Sequence, residues 1–323
     1  MSTTNNYQWV KVTDHAEFPP RDGVGALVYH DELYIIGGWN PIDKQYYPRD
    51  CVNDVWRSKN GANWERIKDN DYTRDKAPEQ WEGTHTAGYV VYQDKMWIVG
   101  GDPLQGHYQS EVWNSSDGID WHHVNEGHPV PWAPRVLHYT FVLNDKLYVL
   151  GGQTLPQFAP APELFYHDIW CTEDGIHWEE IEMKTPYTPQ RGLICGNAVF
   201  KDRVWLIGGG GYETDNRPYV YNNDVWSSDD CTNWTCHTAN APWTGKLYHN
   251  VIVFDEKLWI IGGQSSTENT NDVWYSSDGK DWTEVPDSPW AKRHATALFD
   301  FDDKLWLMTG NHLDNDIYYL KKD

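Results

Sequence analysis

Four histidines stand at matching places near the starts of predicted strands. His85 and His294 share one place, and His138 and His249 lie two residues deeper. Imidazole titrates near neutral pH, so these side chains could exchange protons with a substrate or, in the neutral form, bind a metal. They could equally form hydrogen bonds between neighbouring structural units, and no spacing among them requires a metal. They are candidate catalytic residues, and we expect neither a metal nor a cofactor.

Basic residues recur directly before the same strands. They are Arg21, Arg135, Lys246 and Arg293 in register, with Arg191 one residue early. If these bases converge, they form a positive patch that holds carboxylates, because a guanidinium donates two parallel hydrogen bonds to that group. They could also pair with acidic neighbours, which are abundant in a chain of net charge −22. Both interpretations are compatible with the sequence.

Variable loops add aromatic and polar side chains near these bases. The candidate ligand-binding residues there are Trp39, Tyr47, Asp102, Tyr166 and Tyr212. Tyrosine and tryptophan combine a broad apolar face with a polar tip, which suits a binding rim. Trp39 stands outside every repeated position, so it is the best single candidate for stacking on a ligand.

All of these residues are positioned by a repeated unit, seen most clearly over residues 246–285. Two apolar runs are separated by a polar turn, and the second ends at Gly262-Gly263. Asp272-Val-Trp274 begins a third run, and a Ser-x-Asp-Gly turn leads to a fourth that carries Trp282. Short runs with turn residues between them, and no helical period, predict four β-strands per unit. Most of the 20 tryptophans fall at repeated positions, which is typical of packing.

Such a sheet cannot bury both faces alone, and stacking copies around an axis gives an all-β propeller. The sequence predicts six blades in a single domain over residues 1–323. They cover residues 21–67, 84–124, 135–181, 191–237, 246–285 and 293–323. The last copy lacks its fourth strand, and Tyr7–Val12 carries the matching tryptophan, Trp9. We therefore expect the N-terminal strand to complete blade six, which removes two open sheet edges.

The Gly-Gly pair with a downstream tryptophan, at a period of roughly 50 residues, resembles the kelch repeat over essentially the whole chain. The resemblance implies a kelch-type six-bladed propeller that often serves as a recognition platform, in some cases for acidic peptides. A free-standing propeller of this size also resembles the bacterial sialic-acid mutarotase family. That likeness implies an isomerase of mutarotase or epimerase type acting on a carboxylated sugar. A structural or assembly role is a third alternative.

Composition limits the partners that we expect. A net charge of −22 repels nucleic acids and anionic membranes. No apolar run approaches membrane-spanning length, and the first residues lack the features of a signal peptide, so we expect a cytoplasmic protein. No phosphate-binding loop, dinucleotide fingerprint or metalloprotease motif occurs. The expected partner is an acidic small molecule or acidic peptide, with another protein as a further option.

Overall fold

The computed structural model describes residues 7–45, 47–71, 80–104, 106–154, 165–189, 191, 196–213 and 218–322. Within these ranges the chain forms 24 β-strands, arranged in six four-stranded antiparallel sheets. The middle of the blade-three loop, residues 155–164, lies outside the described ranges.

The first three sheets follow the chain order without crossovers. Blade one contains β2 (Gly25–Tyr29), β3 (Glu32–Ile36), β4 (Val55–Ser58) and β5 (Glu65–Lys68). Blade two contains β6 (Gly88–Tyr92), β7 (Lys95–Val99), β8 (Val112–Ser115) and β9 (His122–His123). Blade three contains β10 (Tyr139–Leu143), β11 (Lys146–Leu150), β12 (Ile169–Thr172) and β13 (Trp178–Glu180).

The other three sheets repeat this pattern, and the last one recruits the N-terminal strand. Blade four contains β14 (Asn197–Phe200), β15 (Arg203–Gly211), β16 (Val220–Ser228) and β17 (Thr235–Thr238). Blade five contains β18 (Asn250–Phe254), β19 (Lys257–Gln264), β20 (Asn269–Ser276) and β21 (Thr283–Val285). Blade six contains β22 (Ala297–Phe301), β23 (Lys304–Met308), β24 (Ile317–Lys322) and β1 (Tyr7–Thr13).

The expected closure of the ring by the N-terminal strand is confirmed. β1 pairs antiparallel with β24, from Tyr7 opposite Lys322 to Thr13 opposite Ile317. The Tyr7 ring packs edge-on against Trp259 of blade five, and its hydroxyl donates a hydrogen bond of 2.5 Å to Asp255. The innermost strands β2, β6, β10, β14, β18 and β22 contact one another in that cyclic order, and β22 contacts β2. The six-bladed all-β propeller predicted from the repeat is therefore the fold.

Tryptophans at repeated positions pack within and between the blades, as the sequence predicted. The ring of Trp243, on the segment leading into blade five, packs edge-on against that of Trp282, with centroids 4.5 Å apart and an interplanar angle of 78°. Trp132 and Trp178 make the same edge-on contact in blade three, with centroids 5.5 Å apart. Edge-to-face aromatic pairs at these distances add to the stabilisation from burial alone.

The Ser-x-Asp-Gly-x-x-Trp segments are closed turns, as expected. In blade five the Ser276 Oγ accepts a hydrogen bond from the Gly279 amide at 2.8 Å. One oxygen of Asp278 accepts two more, from Lys280 and Asp281, at 2.9 and 3.0 Å. Each polar group of the motif is used within the turn, so the motif has a structural role.

The segments leading into the first strands lie beside the loops that follow the Gly-Gly pairs. Backbone bridges join Asp22 to Trp39 and His85 to Asp102. Val136 with Gln153 and Leu247 with Gln264 form the same bridges in blades three and five. These segments and loops therefore share one end of the propeller, which we call the loop face.

Two further observations concern the cysteines and membrane-spanning helices. Cys51, Cys171, Cys231 and Cys236 are free thiols. Among the residues with described positions, no helix is long and apolar enough to cross a membrane.

Candidate functional site

The five bases before the first strands are buried and form internal ion pairs. Arg135 shows the arrangement: its guanidinium donates to both oxygens of Asp168, at 2.5 and 2.9 Å. It also donates to the carbonyl oxygens of Ala133 at 2.9 Å and Gly151 at 3.0 Å. The other pairs are Arg21 with Asp54, Arg191 with Asp224, Lys246 with Asp272 and Arg293 with Asp316.

This pairing leaves little of the five bases for a ligand. Four of them have no exposed surface and Arg191 is 2% exposed. Burial alone would raise the pKa of Asp168, but the hydrogen bonds and charge of Arg135 outweigh burial and lower it, so the pair is ionised. The contacts support the interpretation that these bases pair with acidic neighbours. Their role in binding an anion stays a prediction without support from this geometry.

Two of the histidines are neutral packing residues. His138 and His249 are buried side chains at the wall of the central cavity, and their Nε2 atoms meet the carbonyl oxygens of Val99 and Ile207 in the preceding blade, at 3.1 and 2.8 Å. Burial is the main reason that the pKa of His138 falls to about 3 and that of His249 to about 4. Near neutral pH both rings are uncharged and tie one blade to the next.

His85 lies in a different setting, between two buried carboxylates. Its Nδ1 is 3.2 Å from Asp102, and its Nε2 is 3.5 Å from Asp22 of blade one. Asp102 also accepts a hydrogen bond from the Thr86 hydroxyl, and Asp22 accepts one from Asn311 at 3.0 Å. Burial lowers the pKa of His85, but the two carboxylates offset this and the pKa ends above its usual value. These residues join blades six, one and two at the loop face.

A row of aromatic rings runs across blades four, five and six at the loop face. The exposed Tyr219 contacts Tyr212, with centroids 5.8 Å apart, and Tyr212 contacts Tyr248 at 6.0 Å. Tyr248 stacks on His294 at 4.8 Å and 23°. His294 is oriented by Asn269 at 2.8 Å, and burial lowers its pKa to about 4, so its ring is neutral.

Both groups adjoin the central cavity, which has a volume of about 360 Å³. The first strand of each blade contributes to its wall, and its loop-face end, here called the channel mouth, is ringed by Gly23, Thr86, Leu137, Tyr248 and Ala295. The His85 ring lies directly over Gly23, where a Cβ atom would come within 2.3 Å of it. Gly23 is therefore required for this approach of blade two to blade one.

Comparison with known proteins gives the family. The Kelch motif matches residues 246–289, which contain blade five. The ring of six four-stranded sheets and this match agree. The chain is a kelch-repeat β-propeller.

Other kelch-containing proteins match this propeller over most of its length. Beta-scruin of Limulus polyphemus is 24% identical over 298 residues, or 88% of this chain and 30% of that protein. The leucine-zipper-like transcriptional regulator 1 homolog of Drosophila melanogaster is 23% identical over 305 residues, or 88% of this chain and 28% of that protein. Kelch domain-containing protein 1 of Mus musculus is 25% identical over 285 residues, or 79% of this chain and 64% of that protein. The kelch propeller thus spans less than two thirds of each of these relatives.

The loop residues expected to bind a ligand lie in different environments in the kelch propeller. Tyr166 covers the Arg135 guanidinium, 3.9 Å from its ring centroid, so it packs on a buried base. Trp39 is half-buried and bridges Asp22 and Cys51 through its backbone. Tyr47 is 70% exposed. Tyr212 lies in the aromatic row and Asp102 in the His85 cluster.

Sequence reasoning missed Asp22, Tyr248 and Asn311, which the fold brings to the channel mouth beside His85 and His294. Asp22 follows Arg21 directly and could have been found by asking which residues share the register of His85. Tyr248 occupies the repeat position of Thr86 and Ala295, and those two residue types do not suggest a binding site at that position. The departure of these three residues from the repeat is visible only when the blades are compared position by position.

Proposed function

We propose that this kelch propeller is a protein-binding module that engages its partner through the loop face. Large apolar side chains stand exposed on loops of that face: Ile42 is 61% exposed, Tyr47 70% and Tyr219 44%. Exposed apolar side chains next to polar rims are typical of interaction sites. The kelch resemblance, which implies recognition platforms, supports the same assignment.

The blade-one loop presents its apolar residues on an ordered backbone, and this observation carries the proposal. The Asn40 amide bonds to the Asp50 carbonyl at 2.7 Å, and the Asn40 side chain accepts from the Ile42 amide at 3.2 Å. Lys44 contacts Asp50 at 3.2 Å and lies over the Tyr47 ring at 5.1 Å. A loop held in this way loses less conformational entropy on binding.

A paired substitution tests the assignment. Among the residues that the structure describes on the loop face, Ile42→Ser with Tyr47→Ser removes the two most exposed large apolar side chains. Ile119→Ser is the matched control, because Ile119 is 48% exposed on a turn at the opposite end of the propeller. Quantitative cross-linking in the source cells should show that the double variant no longer forms the cross-links to other proteins that the wild type and Ile119→Ser both form. Equal cross-linking profiles for the double variant and the wild type would refute binding through this loop.

The more specific expectations from the sequence stay predictions. An anionic ligand, or a carboxylated sugar converted by a mutarotase-type isomerase, would need a base to hold its carboxylate. The bases expected to do so are already paired with Asp54, Asp168, Asp224, Asp272 and Asp316. A thermal-shift screen with sialic acid, uronic acids and acidic peptides tests both ideas, and stabilisation by any of these acids would support them. The cytoplasmic location likewise stays a prediction.

A further inference from the structure

The aromatic row forms a track from the rim of the loop face to the channel mouth. Its outer end is Tyr219, which is 44% exposed, and its inner end is the stacked pair of Tyr248 and His294. Faces of tyrosine rings carry negative electrostatic potential and attract cations, guanidinium above all. His294 is neutral near neutral pH, as its lowered pKa requires, so it does not repel a cation there.

The inner end of the track lies in the field of two carboxylates. Burial raises the pKa of the Tyr248 hydroxyl, and Asp22 and Asp102 raise it further through their charge. Tyr248 therefore stays a neutral phenol. His85 is the basic group between the two carboxylates, and one imidazolium can neutralise only one of them. Burial raises the pKa of Asp22, and the charge of His85 and the hydrogen bond from Asn311 oppose that rise. With both carboxylates ionised and His85 protonated, the cluster of Asp22, His85 and Asp102 carries one net negative charge.

Two buried polar side chains on the loop face have atoms without a hydrogen bond. Asp22 is 4% exposed, and its Oδ1 pairs with His85 Nε2 at 3.5 Å but accepts no hydrogen bond from any residue that the structure describes. Gln153 is fully buried at the register of Asp102, and within the described ranges neither of its amide atoms has a partner. Buried acceptors without donors cost free energy. A bound group rich in N–H donors would relieve that cost at Asp22 Oδ1 and at the Gln153 amide oxygen.

We infer that the channel mouth binds a cation, namely an arginine side chain of the protein partner, between the Tyr248 ring and the carboxylates of Asp22 and Asp102. Arginine fits better than lysine because its planar, weakly hydrated guanidinium stacks on aromatic rings and carries five donors. The ligand's charge is opposite to the one expected from the basic residues, because those bases are buried in ion pairs. The inference rests on the proposed function only in assigning the arginine to a protein.

The test uses N-acetyl-arginine amide as the probe and N-acetyl-citrulline amide as its neutral isostere. Titration of the whole propeller, followed by NMR chemical shifts, should give saturable binding of the arginine probe, about tenfold tighter than that of the citrulline probe. Tyr248→Leu should reduce arginine affinity about tenfold. The backbone tolerates this change, because Leu137 holds the equivalent place in blade three at φ 57, against φ 54 for Tyr248.

Asp22→Asn removes the charge at nearly constant shape and should also weaken arginine binding about tenfold. Asp94→Asn is the matched control: Asp94 contacts His30 at 2.7 Å on the opposite face, and its loss should change nothing. Equal affinity for arginine and citrulline, absence of saturable binding, or unchanged affinity in both mouth variants would overturn the inference. A lysine amide that binds as tightly would overturn the choice of arginine. Because no partner protein enters these titrations, their failure leaves the proposed function standing, which the Ile42 and Tyr47 variants test separately.

Discussion

Replacing a buried base separates a structural role from a ligand-binding role. Arg135 is fully buried and donates to Asp168, Ala133 and Gly151. Arg135→Ala leaves the Asp168 carboxylate without its counter-charge and the two carbonyl oxygens without a donor. Breaking such a buried pair from one side costs about 3–5 kcal/mol. A base that only served a ligand would be removed at little cost to stability.

The chain itself supplies the reference for a milder change. Lys246 occupies the same place in blade five and reaches both oxygens of Asp272, at 2.6 and 2.7 Å. Arg135→Lys should therefore keep the ion pair and lose the bonds to Ala133 and Gly151. We expect a loss of about 1–3 kcal/mol, because some of the desolvated carbonyls regain water or shift. The order of stability should be wild type, Arg135→Lys, Arg135→Ala.

Urea unfolding followed by tryptophan fluorescence measures these differences, and thermal melting checks their order at roughly 2 °C per kcal/mol. Lys292→Ala is the control, because Lys292 is 50% exposed in its pair with Glu268 and should cost about 0–1 kcal/mol. If Arg135→Ala lies within about 1 kcal/mol of this control, the pair is not structural. The anionic ligand predicted from the sequence would then regain its support.

Three further predictions concern closure and pH. Deleting residues 1–13 removes β1 and the buried Tyr7, so the variant should melt at lower temperature or aggregate; a variant that melts like the full chain would contradict the closure. Burial holds the pKa of His249 at about 4 in the folded chain. Below about pH 6.5 the unfolded chain therefore binds a proton at this imidazole that the folded chain does not, and the free energy of unfolding falls on acidification. In urea titrations, His249→Gln should flatten this decline by up to about 1.4 kcal/mol per pH unit. The pKa of His85 is raised, so its contribution to stability is complete below about pH 6.5 and is lost as the pH rises through the raised value. His85→Gln should therefore destabilise the propeller less at high pH than at low pH. A difference in unfolding free energy from the wild type that does not change with pH would refute the ion pairs of His85 with Asp22 and Asp102.

The fold could be predicted because the repeat specifies it six times. Each blade supplies its own form of the Gly-Gly, Asp-Val-Trp and turn signals, and a departure in one copy is recognised from the others. The closure followed from one missing strand at the C-terminus and one spare strand carrying Trp9. Both are statements about backbone pairing, for which residue type and spacing are sufficient.

The role of the bases could not be predicted because it depends on side-chain contacts across 33 residues, as between Arg135 and Asp168. The signal was nevertheless present. Asp168 begins the blade-three copy of the repeated Asp-Val-Trp motif, which reads Asp-Ile-Trp there, and Trp170 donates to the same carboxylate at 2.7 Å. A base and an acid that recur together in the repeat indicate a buried pair rather than two separate surfaces.

Blade two shows why the departure from this rule matters for function. It carries Thr84 where the other blades carry a base, and Glu111 where they carry the aspartate. Its ionisable pair lies one register further along, in His85 and Asp102, and there it adjoins the channel mouth and not the interior of the blade. A buried arginine pair is permanently charged, whereas an imidazole held between carboxylates can change its protonation and its contacts. The stabilising pair common to five blades is thus replaced, in the blade that departs from the repeat, by a cluster next to the channel mouth, where we propose that the arginine binds.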